Sequence, residues 1–251
     1  MSNDLTSPSS IESKPQVSES NGPKFKTAVA LEHKILAGNF HYFTFKTDTP
    51  FVYKPGQYIS VKVADQRMND YSVAGNNGPN EFHLLVDVSP GGPGSKYFES
   101  LKTGDVISYL GPFGVFGLQI NDGAKHILFL GTGSGCTPLR TILEDALKNI
   151  NSQIPIIFYF GLRYQSDIFW KEYFEKLAQD HPNFKFELVL SKPDSGWQGL
   201  SGHITDYVKR DNPAANQCSA YLCGNPQMIE EAKQLLISHG CPSERIYFEK
   251  F

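Results

Sequence analysis

Residues 126–150, HILFLGTGSGCTPLRTILEDALKNI, decide the fold. His126–Leu130 is a short apolar run of the kind that forms a buried strand. After the turn GTGSGCTP (131–138), Leu139, Ile142, Leu143, Ala146, Leu147 and Ile150 recur at the i, i+3, i+4 spacing of an amphipathic helix. Thr137 is the expected N-cap and Pro138 the expected first helical residue. A strand, a glycine turn and a helix in that order aim free backbone N–H groups and the positive helix end at an anion, so Gly131, Thr132, Gly133, Gly135, Cys136, Thr137 and Pro138 form a candidate pyrophosphate cradle. The spacing departs from GxGxxG, because Cys136 stands where the third glycine belongs. A glycine turn alone is weak evidence, since tight strand-to-helix turns also use glycine for steric reasons.

Towards the C-terminus the same rhythm repeats. Strands are expected at Ile154–Phe160, Lys185–Leu190, Ser219–Cys223 and Arg245–Phe248, with helices between them. In the last helix Met228, Ala232, Leu235, Leu236 and His239 share one face and Gly240 supplies the stop. Asp167, with Ser166, is the expected cap of a helix carrying Trp170 and Phe174. Such alternation predicts a five-stranded parallel, doubly wound sheet, in which ligands bind beyond the carboxyl ends of the strands. Those ends read GTGSGCTP, GLR (161–163), SK (191–192), CGNP (223–226) and EKF (249–251).

Towards the N-terminus the pattern changes to short β-rich runs broken by Gly, Pro and Asn: Thr27–Ile35, His41–Thr47, Tyr58–Ala64, Tyr71–Ala74, Phe82–Val88 and Asp105–Leu110. Six such runs predict a small antiparallel Greek-key barrel. Residues 1–22 hold seven serines and no aromatic residue, the composition of a disordered tail. The expected division is therefore a tail over 1–22, a barrel over 23–120 and an α/β domain over 124–251.

Composition narrows the function. A net charge of −3 without a Lys/Arg block leaves no electrostatic footprint for nucleic acid. The longest apolar runs, such as Ile127–Leu130, fall far short of the roughly 20 residues of a spanning helix, which predicts no membrane insertion. The opening MSNDLTSPSS has neither the basic start nor the apolar middle of a secretory signal, so the expected location is cytoplasmic. Cys136, Cys218, Cys223 and Cys241 include no CxxC pair and no iron–sulfur or zinc spacing, and the seven histidines show no metal-ligand spacing. No metal site is expected; a redox centre has to be an organic cofactor or sit on a partner.

Eight motifs in order resemble the ferredoxin–NADP reductase-like superfamily of flavin-dependent reductases. They are PGQY (55–58), DYSVA (70–74), GGPGS (91–95), GDVISYLGPFGVF (104–116), GTGSGCTP, the SKP and WQG pieces at 191–199, YLCGNPQM (221–228) and the terminal EKF. The resemblance covers about residues 25–251. It implies FAD on the barrel and NAD(P)H on the α/β domain, with hydride passing from nicotinamide to flavin and electrons leaving to a separate acceptor.

Position by position, the resemblance sets Tyr71 along the flavin and Ser72 near its reactive nitrogen. Val86 and Val88 flank Asp87 beside the flavin, and Gly92, Gly94 and Ser95 hold the FAD pyrophosphate. The family arginine before Tyr-Ser is Asn69 here; Arg67, two positions away and so on the same strand face, is the substitute cation. A basic residue frequent in the family near Asp87 is also absent, which predicts weaker FAD binding. Cys223, with Gly224, Pro226 and Met228, matches the loop facing the nicotinamide, although a buried cysteine after a strand is more commonly a core residue. Ser191 and Lys192 lie where relatives hold the adenosine phosphate and do not decide between NADH and NADPH. Arg163 is read equally well as a phosphate contact or a solvated loop residue. Glu249 and Phe251 match a carboxylate and a shielding aromatic at the nicotinamide–flavin contact; the plain alternative for Phe251 is a terminal cover for the core.

The acceptor implied is a small redox protein: a ferredoxin, a haem protein or an oxygenase component. Two other readings stay open, a reductase that uses flavin as a diffusible substrate and a non-catalytic electron-transfer or regulatory subunit. Oligomeric state is not set by the sequence.

Overall fold

The computed structural model describes residues 24–119, 122–211 and 215–250. The serine-rich tail and Phe251 lie outside the described residues. The first sheet contains β1 (Lys26–Ala37), β2 (Phe40–Lys46), β3 (Tyr58–Ala64), β4 (Arg67–Ser72), β5 (Glu81–Asp87) and β6 (Val106–Phe113), with α1 (Pro93–Ser100) between the last two. Its order is β4-β3-β6-β1-β2-β5, and the antiparallel bridge Val73↔Leu84 joins the two outer strands, closing a barrel. Phe43, Phe45, Ile59, Val61, Phe82 and Leu84 fill it.

The second sheet is parallel, with order β10-β9-β8-β7-β11-β12. Its strands are β7 (His126–Thr132), β8 (Ile156–Leu162), β9 (Phe184–Leu190), β10 (Leu200–Ser201), β11 (Cys218–Gly224) and β12 (Ile246–Lys250). Between them run α2 (Cys136–Asn149), α3 (Lys171–Asp180), α4 (Ile204–Asp211) and α5 (Pro226–Ser238). The sequence predicts five strands and the sheet has six. The extra β10 is two residues long, too short for any periodicity to reveal, and it pairs only with the end of β9.

Two capping expectations are also corrected. Helix α2 starts at Cys136, continuing a 3-10 turn over Gly133–Gly135, so Thr137 lies inside the helix and caps nothing. Asp167 accepts from the Tyr164 amide at 3.1 Å and closes the short turn Gln165–Asp167, whereas α3 begins after Trp170. In both places a tight turn precedes the regular helix and takes the residue that sequence spacing assigns to the cap. Helix α5 is capped conventionally: Asn225 Oδ1 accepts from the amides of Gln227 (2.8 Å) and Met228 (3.3 Å).

One core crosses the domain boundary. Phe40, Ala74, Leu85 and Phe116 of the barrel pack in the same cluster as Phe129, Leu139 and Ile142 of the α/β domain. Strand β2 explains how: its alternate residues Phe43 and Phe45 point into the barrel, which leaves Phe40 and Tyr42 on the opposite face for the second domain. The amide of Gly56 donates to Thr141 Oγ1 at 2.9 Å, and that of Gln119 to the Tyr221 hydroxyl at 2.9 Å, so polar contacts also cross the boundary.

Candidate functional site

A cleft of about 290 Å³ opens where the barrel meets the α/β domain. The barrel supplies Arg67, Asn69, Asp70, Tyr71 and Ser72 from β4, Leu85, Val86 and Asp87 from β5, and Pro90 to Ser95 (without Gly91) from the segment entering α1. The α/β domain supplies Ser134 and Thr137. Strand periodicity sets the first wall: Arg67, Asn69 and Tyr71 share one face of β4, and Arg67 Nε donates to Asn69 Oδ1 at 3.2 Å. Burial pushes the pKa of the Tyr71 hydroxyl up to about 12, with Asn69 beside it opposing the rise. Arg67 is the one cation among the lining residues; Asp70 and Asp87 are the carboxylates.

Glycines set the second wall. A Cβ on Gly94 would stand 2.4 Å from the Tyr71 hydroxyl and 2.5 Å from Asn69 Nδ2, so only glycine brings the start of α1 this close to β4. Gly91 has φ +65, a conformation that favours glycine at the turn between Pro90 and α1.

The loop GTGSGCTP meets the loop CGNP at equally short range. A Cβ on Gly135 would be 2.5 Å from the Cys223 carbonyl and from Gly224 Cα. Gly224, at φ +128, lies against Thr132, whose Oγ1 accepts from the Asn225 amide at 2.9 Å. The two strand ends are therefore locked together, with Gly133 resting on the Phe40 ring of the barrel.

Among the described residues, three buried side-chain polar atoms have no hydrogen-bond partner: Ser72 Oγ, Thr137 Oγ1 and Glu249 Oε2. Such groups are uncommon because each forfeits its solvation. Ser72 and Thr137 both line the cleft. Glu249 stands in register with Cys223 across β11 and β12, and its pKa is raised to about 7, by burial first and by the nearby Asp70 carboxylate second. Burial also holds the Cys223 thiol well above its ordinary pKa, reinforced by Glu249 and Cys136, which favours the neutral thiol. Apolar walls, convergent unpartnered hydroxyls and backbone approach at two glycine loops fit a flavin nucleotide across the cleft and a second nucleotide at the strand ends.

Most sequence-derived site residues are thus brought together. In the barrel, Val86 and Val88 both pack into the barrel core, and Val86 alone of the two also lines the cleft. Ser191, Lys192 and Arg163 lie side by side at the ends of β9 and β8, where the Lys192 amide bonds the Arg163 carbonyl at 2.8 Å, away from the cleft. Pro226 and Met228 begin α5 behind the CGNP loop. Ser134 and Asp70 also line the cleft, and sequence reasoning misses both as site residues; Ser134 sits inside the GTGSGCTP loop, and Asp70 lies inside DYSVA.

Comparison with known proteins agrees with this geometry. Residues 28–117 match the oxidoreductase FAD-binding domain family and residues 129–234 the oxidoreductase NAD-binding domain family. The chain belongs to the ferredoxin–NADP reductase-like superfamily of FAD- and NAD(P)-binding oxidoreductases. Among its relatives is a subunit of the Na(+)-translocating NADH-quinone reductase of Klebsiella pneumoniae, 34% identical over 213 residues, or 78% of this chain and 51% of that protein. Another is the ferredoxin–NAD(P)(+) reductase component of the naphthalene 1,2-dioxygenase system of Pseudomonas putida, 33% identical over 80% of this chain and 61% of that one. The Amycolatopsis cytochrome P450 reductase GcoB superposes with a TM-score of 0.83 at 29% identity, over 91% of this chain and 70% of that chain. The chain thus spans between half and two thirds of the length of the two curated relatives. Among the described residues no helix is long and apolar enough to cross a membrane.

Proposed function

We propose that the chain is the reductase unit of an electron-transfer system: it holds FAD and NAD(P)H, takes two electrons from the nicotinamide and delivers them to a separate redox protein. The observation that carries this reading is a cleft lined by both domains, with the Ser72 and Thr137 hydroxyls buried and unpartnered in its walls. When bound, FAD and NAD(P)H supply hydride donation and acceptance themselves. The chain's part is to bind, orient and exclude water.

Arg67, relayed through Asn69, offers the charge that the missing family arginine would have given. Gly92, Gly94 and Ser95, at the N-terminus of α1, offer free amides to the pyrophosphate. Tyr71, Val86 and Ser72 form the flavin wall. Gly131, Thr132, Gly133, Gly135, Cys136 and Pro138 build the nicotinamide nucleotide's cradle, and Gly224 with the small neutral thiol of Cys223 leaves room for its ring. Arg163, Ser191 and Lys192 face its adenosine end. Glu249, with a pKa near neutrality, holds or releases a proton beside that contact.

The acceptor reading is supported by the Pseudomonas putida relative, which is a ferredoxin reductase component, and by the lack of cluster spacing among the cysteines. The match to part of a quinone reductase leaves a membrane-associated assembly compatible with the same chain.

Asn69 at the arginine position favours one rival, reduction of flavin as a diffusible substrate. Purification followed by exhaustive dialysis separates the two. The proposed reading expects oxidised-flavin absorbance at about one FAD per chain after dialysis; a colourless protein that consumes NADH only when free flavin is added would support the rival instead.

A further inference from the structure

A buried charged cluster outside the cleft joins the two domains. Arg140 lies on α2, four residues beyond Cys136. Its guanidinium sits over the rings of Trp170 (4.6 Å to the centroid) and Tyr173 (4.4 Å). Its Nε donates to Glu144 Oε1 at 2.9 Å, and the Tyr173 hydroxyl donates to the same oxygen. From the barrel, the buried Tyr42 hydroxyl lies within electrostatic reach of Arg140. Only 18% of the arginine side chain is exposed. Burial opposes its charge, and the Glu144 carboxylate and Tyr173 outweigh burial, so it stays protonated.

The aromatic partners continue the contact. Trp170 meets Tyr42 edge-on at 6.0 Å, and Phe169 meets Phe40 at 4.5 Å, so both outward-facing rings of β2 are held. Phe40 in turn supports Gly133 of the nucleotide loop. Trp170 adopts φ +55, the only left-handed non-glycine residue among those described. A bulky residue is held there only when its surroundings over-determine it. A stability role alone would be met by apolar residues, whereas a satisfied buried charge network specifies one arrangement.

We propose that Arg140 is a positioning residue: its clasp on Trp170, Tyr173, Glu144 and Tyr42 sets the orientation of the nucleotide loop relative to the flavin wall. The inference rests on the reductase reading above. It requires that loosening the clasp slows hydride delivery while leaving each cofactor's own binding intact.

The test uses the FAD-loaded full chain and Arg140→Lys, which keeps the charge and loses the planar, stacking fork. Anaerobic stopped-flow mixing with NADH and NADPH reads the limiting rate of flavin bleaching and the apparent nucleotide Kd. Hydrogen exchange at the Gly56 amide, bonded to Thr141 across the boundary, reads domain docking directly. The clasp predicts a limiting rate lower by about tenfold, Kd within about twofold, unchanged FAD content and faster Gly56 exchange. Should Arg140→Lys fail to fold, Tyr42→Phe removes the barrel-side hydroxyl beside Arg140 and keeps the ring against Trp170, and is expected to move rate and exchange in the same directions by a smaller factor. An unchanged limiting rate, or a loss fully matched by lost FAD or weaker nucleotide binding, overturns the clasp. If the wild type is bleached by neither nucleotide, the reductase reading falls, and unchanged Gly56 exchange in the variant still overturns the clasp on its own.

Discussion

The two halves of the site are built from different materials. In the α/β domain the walls are backbone: Gly135 against the Cys223 carbonyl, Gly224 against Thr132. In the barrel they are side chains: Arg67, Asn69 and Tyr71 along one strand face, with Gly94 tucked beneath them. A backbone wall cannot yield without moving a strand end, whereas a side-chain wall can be redrawn by substitution. Here that wall carries Asn69, with Arg67 two positions away on the same strand face and hydrogen-bonded to it.

That difference orders the expected effects. The largest belongs to Gly135→Val, because its Cβ would meet the Cys223–Gly224 backbone. Overpacking of about 1–3 kcal/mol is expected to fall on the nucleotide loop, cutting the anaerobic bleaching rate by tenfold or more, on the order given by that energy, with FAD content preserved. Equal loss of FAD would show that the two walls are not separable. Gly94→Ala comes next and strikes the other wall. Its clash is with side-chain ends, the Tyr71 hydroxyl and Asn69 amide, so FAD affinity measured by dialysis should weaken while nucleotide binding to the apoprotein is retained.

Arg67→Ala sharpens the comparison further. An exposed charge-assisted contact is worth about 1 kcal/mol, so FAD affinity should fall by roughly fivefold, and the remaining affinity should lose most of its salt dependence. FAD binding that is indifferent to this change would mean that the Arg67 cation does not serve the flavin nucleotide.

The smallest effect concerns pH. Glu249 has a folded pKa raised from 4.5 to about 7, so the folded chain binds the proton more tightly than the unfolded one between those values. Its contribution to stability is therefore present below about pH 4.5, declines as pH rises through about 7, and is flat above. Glu249→Gln should remove that decline, raising the melting temperature at pH 8 relative to wild type while changing it little at pH 4.5. Parallel melting curves at both pH values would contradict the raised pKa.

Backbone walls are also the easier to read from sequence. A single glycine turn is weak evidence, but GTGSGCTP and CGNP lie at the carboxyl ends of two strands of one parallel pattern, and helical spacing from Leu139 to Ala146 is strong. The side-chain wall is legible only in part. Period-two geometry places Arg67 with Asn69 and Tyr71, but nothing local tells that Val86 reaches the cleft wall from the barrel core and Val88, in the same core, does not. Thr137 shows a different limit. Its spacing before Pro138 resembles a cap, yet the 3-10 turn over Gly133–Gly135 starts the helix earlier and frees its hydroxyl for the cleft. The Arg140 cluster is invisible in sequence for a further reason: it joins α2, the segment before α3 and β2, and only tertiary packing brings Tyr42 to Arg140.

The central claim is that the two walls face one another closely enough to act as one site. Anaerobic titration of the FAD-loaded chain with NADH and with NADPH tests it most directly. The account predicts that at least one nucleotide bleaches the oxidised-flavin bands with about one equivalent per FAD; bands that persist through several equivalents of both nucleotides would contradict it.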